Sequence, residues 1–210
     1  MKNDIEFWIV IPTANRHEYL EEIFECSGVS PEQIVLIRTT PGQTISGAVN
    51  LWVSGDINIQ RWWNTGIQYC RNNGGRYVAI LNDDTVLRKG DLQKLLQQLK
   101  AEGTTLVLPV AKGNAGWGHC WILDTAHNVY PDERFQWWCG DHDLEIRALK
   151  AKGVAYLPLQ ILNKHANELT TENLFLQTLT RKDIRTFRRK YPGKALAEFY
   201  RRFNRKFFKV

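Results

Sequence analysis

The apolar run Tyr77-Val78-Ala79-Ile80-Leu81 stops on Asn82-Asp83-Asp84-Thr85, two adjacent carboxylates at the close of what reads as a buried strand. Hard divalent cations take oxygen ligands, so a strand that delivers Asp83 and Asp84 to its C-terminal edge suits a metal held against phosphate oxygens. That is nucleotide chemistry. The same residues also fit an ordinary solvated turn closing a strand, and the acidic pair alone does not separate the two readings.

The elements that must position this pair alternate along the chain. Phe7–Ile11 reads as a first strand, broken by Pro12-Thr13-Ala14-Asn15 before a helical stretch from Glu18 to Phe24. Gln33–Ile37 is a second strand and Val49–Val53 a third. Ile59–Cys70 has helical spacing in Trp63, Ile67 and Cys70, and Asn72-Asn73-Gly74-Gly75 ends it. After the acidic strand comes a helix around Leu92, Leu95, Leu96 and Leu99. This rhythm predicts an α/β domain with a mostly parallel sheet, in which ligands bind beyond the carboxyl ends of the strands. Further on, Thr105–Val110 and Gly118–Leu123 read as strands and Asp141–Ala151 as a helix. Val154–Leu157 and Gln160–Leu162 read as short extended pieces leading to His165. From Thr170 the pattern is helical, with Thr180-Arg181-Lys182-Asp183 as a capping box opening a helix that Tyr191-Pro192-Gly193 ends.

Charge divides the chain. Residues 181–210 hold twelve Lys and Arg against Asp183 and Glu198, a net +10, so with +6 for the whole chain the first 180 residues carry −4. A polyanionic partner for the basic end follows, nucleic acid or an anionic membrane surface, set against a solvated face that serves only solubility. No apolar run approaches the roughly 20 residues that would span a bilayer. The first residues run at once into the strand at Phe7 and do not read as a signal peptide, so a cytoplasmic location is expected. Cys26, Cys70, Cys120 and Cys139 are scattered without metal-ligand spacing and read as small buried residues.

Five segments, in order, resemble the family 2 glycosyltransferases, which use the nucleotide-sugar-binding GT-A fold. They are Ile9-Val10-Ile11-Pro12-Thr13-Ala14-Asn15-Arg16; Arg61-Trp62-Trp63-Asn64-Thr65-Gly66-Ile67; Leu81-Asn82-Asp83-Asp84-Thr85; Pro131-Asp132-Glu133-Arg134-Phe135 with Trp138-Cys139-Gly140-Asp141-His142-Asp143-Leu144 and Arg147; and Asn163-Lys164-His165. The resemblance covers about residues 7–165 and implies a GT-A domain over 1–168, with a basic helical extension over 169–210. Two departures stand out: Gly140 occupies the position that is usually Glu, and Arg38-Thr39-Thr40 follows the second strand where an acid often contacts the base.

What the resemblance implies is a metal-dependent, inverting transfer of a hexose from a nucleotide-diphosphate sugar, a UDP-sugar first, to an acceptor hydroxyl. Asp84 and His165 are its expected ligands for Mn²⁺ or Mg²⁺. Pro12, Thr13, Asn15, Arg16, Asn64, Gly66, Asn82 and Asp83 are expected around the donor. Asp141 is the expected general base, with a carboxyl raised by Trp137, Trp138 and the like charge of Asp143. The competing reading of Asp141 and Asp143 is stabilisation of a helix N-terminus. Trp137 and Trp138, with Arg201 and Arg202 in the basic extension, are candidates for acceptor contact, and a hydroxylated base in DNA, flipped into the site, is the acceptor favoured by the concentrated charge. Alternatives are a lipid-linked, protein or glycan acceptor at a membrane surface, a non-catalytic nucleic-acid binder on a degenerate transferase fold, and a nucleotidyltransferase.

Overall fold

A computed structural model describes residues 6–13, 17–40, 44–111, 114–115, 119–164 and 173–193. Its strands are β1 (Phe7–Thr13), β2 (Ile34–Arg38), β3 (Val49–Trp52), β4 (Tyr77–Leu81), β5 (Thr85–Val86), β6 (Leu106–Ala111), β7 (Asn114–Ala115), β8 (Cys120–Asp124), β9 (Val154–Leu157) and β10 (Leu162–Asn163). Its helices are α1 (His17–Ser27), α2 (Ile59–Asn72), α3 (Asp91–Glu102), α4 (Gly140–Ala151) and α5 (Leu174–Lys190).

One sheet runs β3-β2-β1-β4-β8-β6-β7, with β9 on the other side of β6. β3, β2, β1 and β4 are parallel neighbours; β8 opposes β4 and β6, and β9 is parallel to β6, so β6 and β9 point the same way as β4. The mixed, mostly parallel α/β sheet expected from the sequence is present. Its inner strands are buried on both faces, which is why β1, β2 and β4 read as unbroken apolar runs and not as alternating ones.

Helices cover the two faces. Leu20 and Ile23 of α1 and Leu92, Leu95 and Leu99 of α3 pack with Ile9, Ile11 and Leu36 on one side. Trp63, Ile67 and Cys70 of α2 and Leu144 and Ala148 of α4 pack with Val10, Ile37 and Trp121 on the other, where Trp63 meets Trp121 edge-on at 5.4 Å between ring centroids. The close approach of α2 to β1 depends on Gly66, because a Cβ there would fall 2.3 Å from Cγ1 of Val10.

Among the described residues no helix is long and apolar enough to cross a membrane. All four cysteines are free, Cys70, Cys120 and Cys139 buried and Cys26 half-buried, in keeping with small core residues.

One sequence reading is corrected. α5 opens at Leu174, where the side chain of Asn173 accepts from the N–H groups of Phe175 and Leu176, and not at a Thr180 capping box. Asp183 is therefore mid-helix and fully buried.

Candidate active site

Parallel strands bring their carboxyl ends to one edge. β4 leads into a tight turn in which Thr85 N–H donates to the Asn82 carbonyl at 3.2 Å, and Asn82 N–H donates to the carbonyl of His119 at 3.0 Å. Asp84 is only 6% exposed, so this is no ordinary solvated turn. Thr13, at the end of β1, donates through Oγ1 to Oδ2 of Asp83 at 3.1 Å, locking the ends of β1 and β4 together. Pro12 and Thr13 pair with Ile37 and Arg38 of β2.

β10 pairs antiparallel with β5, Asn163 opposite Thr85, and Lys164 N–H donates to the carbonyl of Asp84 at 2.9 Å. The chain thus reaches the acidic turn one residue before His165. His165 itself lies outside the described residues, as do Asn15, Arg16, Arg201 and Arg202. Among the described residues there is no group of three or more His, Cys, Asp or Glu side chains arranged to hold a metal. The acidic pair still suits a hard cation, which commonly binds one or two carboxylates and completes its shell with substrate phosphates and water.

The second acidic segment sits at the same edge. α2 follows β3 directly, so its first turn stands at the carboxyl end of the parallel strands, and Gly140, the first residue of α4, packs against Gln60 in that turn. This contact also accounts for the glycine where the family pattern has an acid. A Cβ on Gly140 would lie 2.2 Å from the carboxamide of Gln60, a side chain only 1% exposed. We expect Gly140→Ala to lower the melting temperature, and Gln60→Ala in the same chain to restore most of the loss, because the crowding comes from one flexible side chain. Differential scanning fluorimetry of the four chains measures it.

The loop that leads into the helix of Asp141 is pinned from α2. The side chain of Asn58 donates to the Glu133 carbonyl at 2.9 Å, Ile59 N–H to the Gln136 carbonyl at 2.8 Å, and Asn64 Nδ2 to the Pro131 carbonyl at 3.0 Å and Oε1 of Glu133 at 2.9 Å. Asn64 and Gly66, expected beside the donor at a helix start, lie inside α2, which begins at Ile59. Asn64 braces the loop and Gly66 seats the helix on β1.

Asp141 keeps 20% of its side-chain surface, and its Oδ1 lies 2.9 Å from Nδ1 of His142. The expected raised carboxyl is corrected. Burial pushes it up, but the charge and hydrogen bonds of His142 pull harder, and the group rests below the ordinary carboxylate range. Nor does Asp143 act as a bare like charge. Its fully buried carboxylate receives Arg147 Nε at 2.7 Å, the hydroxyl of Tyr191 at 2.7 Å and the ammonium of Lys190. Trp137 and Trp138 are half-buried, and their N–H groups turn inward to α5.

That role of α5 was missed from sequence. Phe187 and Tyr191 pack on Phe135 and Cys139, Lys190 bridges Asp132 and Asp143, and Lys182 donates to Oε1 of Gln136 at 2.8 Å. The only available signal was an acid, Asp183, on the otherwise apolar stripe of Leu176, Leu179 and Phe187. The outward side carries Arg181, Arg185, Arg188 and Arg189, all exposed.

Residues 58–150 match the family model described as glycosyl transferase family 2. No curated protein matches the chain in sequence. Among solved structures it is similar to glucosyl-3-phosphoglycerate synthase from Mycobacterium tuberculosis in complex with Mn²⁺, UDP and glucosyl-3-phosphoglycerate, at 14% identity and TM-score 0.67, over 88% of this chain and 79% of that one. It is also similar to S. aureus TarS 1–349 in complex with UDP, at 12% identity and TM-score 0.60, over 95% and 76%. In two further TarS structures the match spans 59% and 38% of the TarS chain. The family segment, residues 58–150, thus runs from Asn58 into the last turn of α4, and the surrounding sheet has the GT-A fold of these solved structures.

Proposed function

We propose that this protein transfers a sugar from a UDP-sugar to an acceptor hydroxyl with inversion, using Mn²⁺ or Mg²⁺. One observation carries the reading: the buried Asp84 and the partly exposed Asp141 reach the same edge of the sheet from opposite halves of the chain. The neighbours solved with UDP and Mn²⁺ or Mg²⁺ support the donor and the metal.

Asp84, with His165 next to its Lys164 anchor, would hold the cation. When bound, the metal supplies Lewis-acid stabilisation of the departing diphosphate. Thr13 keeps the Asp83 carboxylate oriented toward the ribose side or a metal-bound water. Asp141 accepts the acceptor's proton at a carboxylate oxygen as the hydroxyl oxygen attacks the anomeric carbon from the face opposite the phosphate. His142 holds that carboxylate in its charged form, at some loss of basicity.

The acceptor we favour is a hydroxylated base in DNA. Arg181, Arg185 and Arg188 fall on one exposed helical face beside the Asp141 loop, an arrangement that suits a phosphate backbone. The test is a thermal-shift screen of nucleotide sugars with and without Mn²⁺, followed by DNA binding across a salt series. A metal-dependent rise with a UDP-sugar, and DNA affinity that falls with salt and weakens in Arg181→Glu/Arg185→Glu, are expected. No rise with any nucleotide sugar overturns the donor reading. Binding to anionic vesicles and not to DNA redirects the acceptor to a membrane-borne glycan.

A further inference from the structure

Among the contacts of α5 with the site, one carboxylate stands apart. Asp183 Oδ2 accepts from the N–H groups of Gln136, Trp137 and Trp138 at 3.0, 2.7 and 2.8 Å. Three successive N–H groups meet on a single oxygen only if the backbone curls around it, the concave arrangement that main chains use to bind anions. The next residue, Cys139, is left-handed at φ 62, which a side chain with a Cβ rarely adopts. α4 then begins at Gly140, and Asp141 follows. The grip on three amides thus ends two residues before the helix carrying Asp141 starts.

Packing alone does not explain an acid here. Asp183 has no exposed surface, lies between Leu179 and Phe187 on the inward stripe of α5, and its Oδ1 has no hydrogen-bond partner among the described residues. Burial pushes its carboxyl up by more than the three N–H groups pull it down, leaving it above the ordinary range. A buried charge is weak support for stability, and an apolar side chain would fill this stripe at less cost.

From this geometry we infer that Asp183 is a positioning residue: through the amides of Gln136–Trp138 and the left-handed turn at Cys139, it aims Asp141 at the acceptor hydroxyl. The inference rests on the proposed role of Asp141 as base.

The test compares the full chain with its Asp183→Asn variant by transfer kinetics, amide hydrogen exchange and melting temperature. Because the charged form is the costly one, Asn should leave the melting temperature nearly unchanged. Exchange at Gln136, Trp137 and Trp138 should rise at least about tenfold as the weaker acceptor releases them. The kcat should fall about 100-fold, the scale of a misplacement near 1 Å, while the donor KM holds, since Asp83 and Asp84 lie in the turn after β4, away from the clasped loop. Opened amides with an unchanged kcat overturn the inference, as does a parallel fall of kcat, donor affinity and melting temperature. Should the variant not fold, exchange in the wild-type chain decides: those three amides protected as strongly as β4 uphold the clasp, and fast exchange there overturns it. A wild-type chain with no transfer activity sinks the reading of Asp141 as base. The clasp is then judged on the NMR backbone shifts of Asp141 and His142, which move in Asp183→Asn if Asp183 positions the Asp141–His142 pair and stay put if it does not.

Discussion

Asp84→Ala is expected to cut sugar transfer by about 10²–10³-fold or more, the scale of losing a preorganised electrostatic contact to a leaving group. The loss should fall on kcat, together with the thermal stabilisation that UDP and Mn²⁺ produce jointly. The fold should survive, because what ties Asp84 to Lys164 is its main-chain carbonyl, which the substitution leaves in place. Circular dichroism alongside a coupled UDP-release assay separates the two effects. Activity retained within tenfold, with metal dependence intact, would falsify the placement of the cation at this turn.

Asp141→Asn carries the second large effect, a fall of about 10²–10⁴-fold in kcat, typical of removing a general base, with binding of the UDP-sugar unchanged. The pH profile adds a sharper check. His142 holds the Asp141 carboxyl below its ordinary range, so in the wild-type chain the acid limb of kcat/KM should lie lower than that of an ordinary carboxylate. Removing the imidazole's pull in His142→Ala leaves burial opposed only by the backbone N–H groups of residues 141 and 142, and the acid limb should move to higher pH. The sign for stability is the same: a depressed carboxyl contributes stability present above its unfolded value and lost as the pH falls through the folded one. An acid limb that stays in place in His142→Ala would separate the profile from Asp141. Product anomers read by NMR test the inversion.

Sequence periodicity located most of the elements because the fold buries them in the simplest way. The continuous apolar runs at Phe7–Ile11 and Tyr77–Leu81 are strands covered on both faces, and the ends of α2 and α4 fall within two residues of their expected positions. Val154–Leu157 was legible to the residue. The place of Asp83 and Asp84 after β4 followed from strand direction, whereas Asp141, on a helix, came only through the family resemblance. What sequence could not convey was anything carried by side chains meeting across the fold. Gly140 reads in the sequence only as a departure from the family pattern, and the structure places Gln60 in the space beside it. Asp143 looked like a repelling charge until Arg147, Lys190 and Tyr191 were seen around it. Thr180-Arg181-Lys182-Asp183 matched a local capping pattern, but Asp183 spends its oxygen on a loop more than forty residues earlier in the chain, a separation no local rule can detect.

The clamp between α5 and the loop after Pro131 also sets an order of events during biosynthesis. Gln136–Asp141 leaves the ribosome before Asp183, Phe187 and Tyr191 are made, so β1, β2 and β4 can pair while the proposed base at Asp141 still has no fixed direction. A nascent chain would hold donor before it could deliver sugar anywhere, and competence would arrive only when the last described helix docks. Shortened chains that stop ahead of α5 should therefore be able to dock a nucleotide yet remain idle as transferases.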